Sequence, residues 1–160
     1  MVILGIDPGT GITGYGVIEK KENKLKVLDF GCVKTSKDET SGRRLKTIHR
    51  AVRKLIKQFK PDLIATESLF FFKNLKTVIA VSQARGVVVL AAEESGVPFC
   101  EFTPLEVKQA VSGYGRAEKQ QVQKMVKILL NLEEIPRPDD AADALAVAIC
   151  AANIYPHKNY

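Results

Sequence analysis

The stretch Val2-Ile-Leu-Gly-Ile-Asp7, with Pro8-Gly-Thr-Gly11 and Ile12-Thr-Gly-Tyr-Gly-Val-Ile-Glu19 behind it, decides the architecture of this chain. Val2–Asp7 is short and apolar, 8–13 is a turn, and Gly14–Glu19 resumes a strand pattern. The polar run 20–24 ends in Asn-Lys and reads as a hairpin connection into a third strand over 25–35. Three consecutive strands with short connections predict an antiparallel meander, because parallel neighbours need a crossover of a dozen or more residues.

Beyond the meander the period changes. Leu45, Ile48, Val52, Leu55, Ile56 and Phe59 recur at three- and four-residue steps, one face of a long helix from Ser41 that Pro61 stops. Its other face carries Arg43, Arg44, Lys46, Arg50, Arg53, Lys54, Lys57 and Lys60 with no acid in the span. Such a face either tracks phosphates or is simply solvated. A buried strand over 62–67 ends on Glu67, and an aromatic loop leads into a helix over 76–95. A fifth strand covers 97–102, and Thr103-Pro-Leu-Glu106 is a capping box with Pro at the first helical position. A glycine loop (113–117) precedes a helix with Val122, Met125, Val126, Leu129 and Leu130 on one face. After a break at 133–138, Asp139 is expected to cap a last helix to about Tyr155. The order β-β-β-α-β-α-β-α-α-α predicts an α/β fold, a mixed sheet flanked by helices.

Composition bounds the rest. At 160 residues the chain is expected to form a single domain over 1–160, long enough to bury a core without disulfide or zinc staples. Lys and Arg number 24 against 18 Asp and Glu, a net +6 that suits a polyanionic partner without demanding one. The surplus is uneven: 34–60 holds ten basic residues against Asp38 and Glu39, whereas 128–160 carries five acids against Arg137 and Lys158. Cys32, Cys100 and Cys150 are scattered and odd in number, which reads as reduced thiols in a cytoplasmic protein. No signal peptide fits the first residues, and the longest apolar runs fall short of the roughly 20 residues a bilayer needs.

Four carboxylates stand out against this background. Asp7 closes the first strand before a Gly-rich turn, and five of the eleven glycines lie between Gly5 and Gly16, as if metal or phosphate approached the backbone there. An ordinary strand-exit turn fits the segment equally well. Glu67 ends a buried strand, where a carboxylate needs either a basic partner or a ligand. Asp140 and Asp143, three apart, share one face of an otherwise apolar helix; complementing the helix dipole explains Asp139 and Asp140 better than Asp143. Together, two strand ends and a helix face make an oxygen-ligand cage for Mg²⁺ or Mn²⁺, and two such ions can hydrolyse a phosphodiester. His49 on the basic helix and His157 near the end of the chain read as solvated.

The residues resemble the RuvC family of bacterial Holliday junction resolvases, which have a ribonuclease-H-like fold. The match runs from Ile3-Leu-Gly-Ile-Asp-Pro-Gly-Thr10 to Asp140-Ala-Ala-Asp-Ala-Leu-Ala146. Between them lie Gly14-Tyr-Gly-Val-Ile18, Gln83-Ala-Arg-Gly86, Val107-Lys-Gln109, Ala117-Glu-Lys119 and Gln121-Val-Gln-Lys-Met-Val126. The resemblance implies a five-stranded mixed sheet flanked by helices. It assigns Asp7, Glu67, Asp140 and Asp143 to a metal-binding catalytic quartet, with Asp140 preferred over Asp139 because its i+3 partner is Asp143. It implies Mg²⁺, replaceable by Mn²⁺ and two per active site. It further implies paired symmetric cuts in a four-way DNA junction that leave 5′-phosphates. A homodimer is implied, acting with the branch-migration proteins RuvA and RuvB. Phe70 falls on the family's stacking aromatic, a role Phe71 or Phe72 can share, and Lys108 and Lys119 fall on lysines near the scissile phosphate. The helix over 76–95, apolar on more than one side, either lies fully buried or also meets its twin.

Three rivals remain at this level. A resolvase-like nuclease that processes ribosomal RNA precursors shares the Gly-x-Asp-x-Gly opening, although Phe70–Phe72 and Val107-Lys-Gln109 are not expected there. Asp7-Pro-Gly-Thr10 resembles the first phosphate loop of actin-like sugar kinases, which need two such domains. A non-catalytic junction-binding module is disfavoured by the retention of all four acids.

Overall fold

The computed structural model describes residues 1–68 and 75–155. Strands β1 (Val2–Asp7), β2 (Ile12–Lys21) and β3 (Lys24–Lys34) form the expected antiparallel meander. Strands β4 (Leu63–Glu67) and β5 (Phe99–Phe102) extend it in parallel, giving one five-stranded sheet in the order β3-β2-β1-β4-β5. The hairpin between β2 and β3 is tighter than expected, just Glu22-Asn23, since Lys21 and Lys24 are still paired. Glu22 takes φ 53°, the left-handed conformation that two-residue hairpins require. Strand β5 starts at Phe99 rather than residue 97; Pro98 has no N–H for a ladder, and its carbonyl accepts from the Ile64 N–H at 2.9 Å.

Side-chain alternation divides the core into two layers. Leu4 and Ile6 of β1 point with Val17 and Ile64 toward helices α1 (Ser41–Phe59) and α2 (Leu75–Glu94). Ile3 points with Ile18, Leu63 and Ala65 to the opposite face, covered by α3 (Pro104–Ser112), α4 (Lys119–Leu129) and α5 (Asp139–Ile154).

Helix α1 is amphipathic as its period predicts, with Ile48, Val52, Leu55 and Ile56 buried. Left-handed Lys60 ends it, returning its N–H to the Ile56 carbonyl at 2.8 Å. Helix α2 is two-sided: Ala84, Val88, Ala91 and Ala92 are buried, while Ile79 and Leu90 are 59% and 52% exposed. Helix α3 begins with the predicted box: Thr103 Oγ1 accepts from the Glu106 N–H at 3.2 Å, and Glu106 Oε2 accepts from the Thr103 N–H at 2.7 Å.

Helix α5 is buried on every side through its body, from Ala141 and Ala142 to Ala144–Ala152. Pro138, not Asp139, occupies its cap position; Asp139 is the first helical residue. Small residues on both sides bring this helix onto the sheet. A Cβ on Gly5 would stand 2.2 Å from the Ala144 carbonyl oxygen, and one on Gly14 only 2.0 Å from that of Asp140. Gly16 is filled in the same way by Leu145, at 2.6 Å. Gly5, Gly14 and Gly16 therefore admit α5, whereas a Cβ on Gly9 or Gly11, in the turn between the strands, would meet Ile12 or Arg44 instead. No helix among the described residues is long and apolar enough to cross a membrane.

Candidate active site

Strand register and helix entry bring four carboxylates to one end of the sheet. In the parallel β1–β4 pair Gly5 faces Ala65 and Ile6 faces Thr66, so the two strands end side by side at Asp7 and Glu67. Alternation puts both acids on the face that α5 covers. Asp140 and Asp143 lie in the first two turns of α5, the part held against β2 through Gly14.

The electrostatics follow from that convergence. Burial, and then the charges of Asp143, Asp140 and Glu67, push the Asp7 carboxyl up to about 7, with Lys119 opposing. Burial and Asp143 raise Glu67 as well, against Lys108 and Lys119. The Lys119 Nζ sits 2.8 Å from Asp143 Oδ2 and 3.6 Å from Asp139 Oδ2. Burial works against its charge, but the two aspartates outweigh it and hold the ammonium above the ordinary lysine range. Lys108, Lys119, Glu67 and Asp143 rim a cavity of about 250 Å³ floored by Val107, Val122, Ala146 and Val147. Both lysines singled out in the sequence therefore lie against two of the acids.

Asp139 stands apart. It pairs with Arg137 Nη1 at 2.5 Å and lies beside the Gln123 amide, and these partners with Lys119 outweigh desolvation and keep it below the usual aspartate range. The buried Gln123 Nε2 faces it without reaching hydrogen-bond geometry. Sequence spacing could not reveal this pairing, since Gln123 and Lys119 belong to a different helix. Cys32 on β3 also borders the cluster; burial and the charges of Asp140 and Asp7 push its thiol up to about 11, leaving it unreactive. His49 differs from expectation: rather than being merely solvated, its Nε2 meets Glu94 Oε2 at 2.9 Å, tying α1 to α2. Phe70, Phe71, Phe72 and His157 lie outside the described residues.

As they stand, no three Asp, Glu, His or Cys side chains among the described residues are drawn tightly enough together to hold a metal ion. The donor set nevertheless fits a hard divalent cation. It is all carboxylate, and Asp7 is raised by burial and then by neighbouring acids, whose repulsion a bound cation would offset. The Lys119 ammonium supplies positive charge at Asp143 in this arrangement.

Comparison with known proteins gives a consistent result. The family model described as crossover junction endodeoxyribonuclease RuvC matches residues 3–151. The crossover junction endodeoxyribonuclease RuvC of Moorella thermoacetica is 56% identical over 158 residues, covering 99% of this chain and 95% of that protein. The structure of Thermus thermophilus RuvC superposes with a TM-score of 0.88 at 41% identity, covering 95% of this chain and 93% of the other. RuvC of T. thermophilus in complex with a Holliday junction substrate gives a TM-score of 0.87 at 38% identity, with the same coverage of each chain.

Proposed function

The chain belongs to the RuvC family of crossover junction endodeoxyribonucleases, and on that premise we propose that it resolves four-way DNA junctions by metal-dependent hydrolysis at its acidic sheet edge. Its fold is the ribonuclease-H-like one of that family. One observation carries the assignment of the site: four carboxylates from β1, β4 and α5 share one edge, where burial and then the neighbouring acids raise Asp7 and Glu67.

In this reading Asp7, Glu67, Asp140 and Asp143 hold Mg²⁺, with Mn²⁺ as a substitute and two ions per site. When bound, the ions supply an activated water and neutralise charge on the leaving oxygen. The chain's own residues do the rest. Lys108 and Lys119 flank the cavity beside Glu67 and Asp143, where they attract and orient the phosphate to be cut. Lys119 is the first residue of α4, so its ammonium stands at a helix N-terminus, where phosphate binds well. The apolar floor of Val107, Val122, Ala146 and Val147 keeps the lysines and acids in a setting of reduced dielectric. Phe70, with Phe71 or Phe72, stacks on an unpaired base at the junction, a contact worth about 1–3 kcal/mol.

The same reading makes 1–160 one nuclease domain working as a homodimer, because a two-fold substrate cut twice calls for two sites. Support comes from the outer stripe of α2, where Ile79 and Leu90 are exposed three turns apart and Gly86 between them meets nothing within 4 Å. Action alongside RuvA and RuvB follows from the family reading.

Purified protein with Mg²⁺, offered a synthetic four-way junction, a linear duplex and a structured RNA, tests the proposal. Paired symmetric nicks in the junction alone are expected. Cleavage of RNA, or junction binding with no cleavage, would each overturn it.

A further inference from the structure

The basic face of α1 has no part in the site described above, yet it begins beside it. Arg44, in the first turn of α1, donates from Nε to Thr35 Oγ1 at 2.9 Å, and Thr35 in turn donates from its hydroxyl to the Thr10 carbonyl. The Thr35 N–H also bonds the Gly11 carbonyl at 3.0 Å. The guanidinium therefore lies over the loop that follows Asp7, where a Cβ on Gly11 would be 3.5 Å from Arg44 Nη2. Its anchor is a neutral hydroxyl, and no carboxylate among the described residues pairs with it. Beside it, Arg43 opens a stripe of exposed cations that Lys46, Arg50, Lys54 and Lys57 continue at three- and four-residue steps.

Like charges three and four residues apart oppose helix formation. This stripe repeats them along its length with no acid anywhere in α1. Among the described residues, the acid that pairs with α1 is Glu94 of α2, taken by Arg53 at 2.6 Å and by His49. At its far end the stripe forms a wall of a cavity of about 490 Å³ lined by Arg50, Arg53, Lys54, Ile56, Lys57 and Ser95. An extended anion fits this layout better than a small one, because the cations form a line and not a ring.

We infer that this stripe is a second DNA-contact surface, gripping the phosphate backbone of a duplex arm that leaves the cleavage point. The inference rests on the junction-resolving function proposed above. Lys57 lies thirteen positions beyond Arg44, about 20 Å at the helical rise, or roughly six base pairs of duplex. Arg44 fixes the arm's near end beside the catalytic loop, and the cavity against Ser95 receives its far end.

The triple variant Arg50→Gln/Lys54→Gln/Lys57→Gln tests this. Its affinity for a labelled four-way junction is measured by fluorescence anisotropy in EDTA across a salt series. The slope of log K against log salt is expected to fall in magnitude by about 2–3, with affinity at about 0.1 M salt reduced tenfold or more. Hydroxyl-radical footprints of the wild type are expected to reach about six base pairs into an arm, and those of the variant to retract. Thermal melting serves as the folding control, and relief of like-charge repulsion should leave the variant no less stable. If the triple variant does not fold, Lys57→Gln alone is expected to lower the slope by about 0.9. Unchanged slope and footprint would overturn the inference, as would recruitment of an acidic protein to the stripe without any change in DNA binding. Wild-type cleavage reports separately on the underlying function. A chain that grips the junction through this stripe without nicking it sinks the nuclease and leaves the stripe standing.

Discussion

Helices α1 and α5 lie on opposite faces of one sheet and meet it in opposite ways. Helix α1 rests on a single side: Ile48 and Val52 are each 1% exposed, while Arg50, Arg53 and Lys54 face water. Helix α5 has no outer side along its body, and its backbone bears directly on the glycines of β1 and β2. The first contact is made by side chains, which can repack. The second is made by main chain, which cannot. Charge follows the same division. Helix α1 displays cations that water solvates, whereas α5 carries Asp140 and Asp143 into a crowded edge beside Asp7 and Glu67.

The largest effect expected from breaking this division is at the crowded edge. Asp7→Asn should lower junction cleavage by about a thousandfold or more, with binding changed little, as gel assays with and without Mg²⁺ would show. Equal loss of binding and cleavage would make Asp7 a structural residue. The same variant should alter stability against pH. The Asp7 carboxyl is raised from 3.8 to about 7, so the folded chain holds its proton where the unfolded chain has released it. That stability is complete below the unfolded value and drains away as pH rises through about 7, by at most roughly 4 kcal/mol. Urea unfolding in metal-free buffer should show this decline in the wild type and little of it in Asp7→Asn.

Next in size is the main-chain contact. Gly14→Ala forces a methyl to within 2.0 Å of the Asp140 carbonyl oxygen and should destabilise the protein by about 3 kcal/mol or more. On α1, Ile48→Val should cost only about 1 kcal/mol, because side-chain packing there partly closes the gap. A Gly14→Ala loss no larger than that of Ile48→Val, in the same unfolding assay, would erase the distinction between the two helices. The smallest effect belongs to the outer face of α1. Lys54→Gln removes repulsion with Arg50 and Lys57 and should stabilise the fold by about 0.2–0.5 kcal/mol.

Sequence patterning reaches α1 and α5 unequally, for the same reason. The step from Leu45 to Phe59 fixes both the helix and its buried face, because one-sided burial writes a period into the sequence. Helix α5 has no such period. Its acids were legible only as exceptions within an apolar run, and their place beside Asp7 and Glu67 depends on pairing between residues far apart in the chain. The glycines show the limit best. Their density between Gly5 and Gly16 marks a close approach, but not that α5 is what approaches Gly5, Gly14 and Gly16. Nor could spacing show that Asp139 turns to Arg137 and Lys119, or that His49 finds Glu94, since each partner lies on another element or across a helix start.

The bare-backbone seat of α5 also bears on how such a protein can change over time. Aliphatic residues elsewhere in the core can be exchanged for others of similar bulk, and the neighbours shift slightly to suit. None of those exchanges alters the thickness of the main chain, so the perch from which Asp140 and Asp143 reach toward Asp7 stays where it is. One methyl group added at Gly5 or Gly14 would lift it. Exchanges that keep bulk are therefore expected to be tolerated through most of the hydrophobic interior, and any side chain at Gly5 or Gly14 is not.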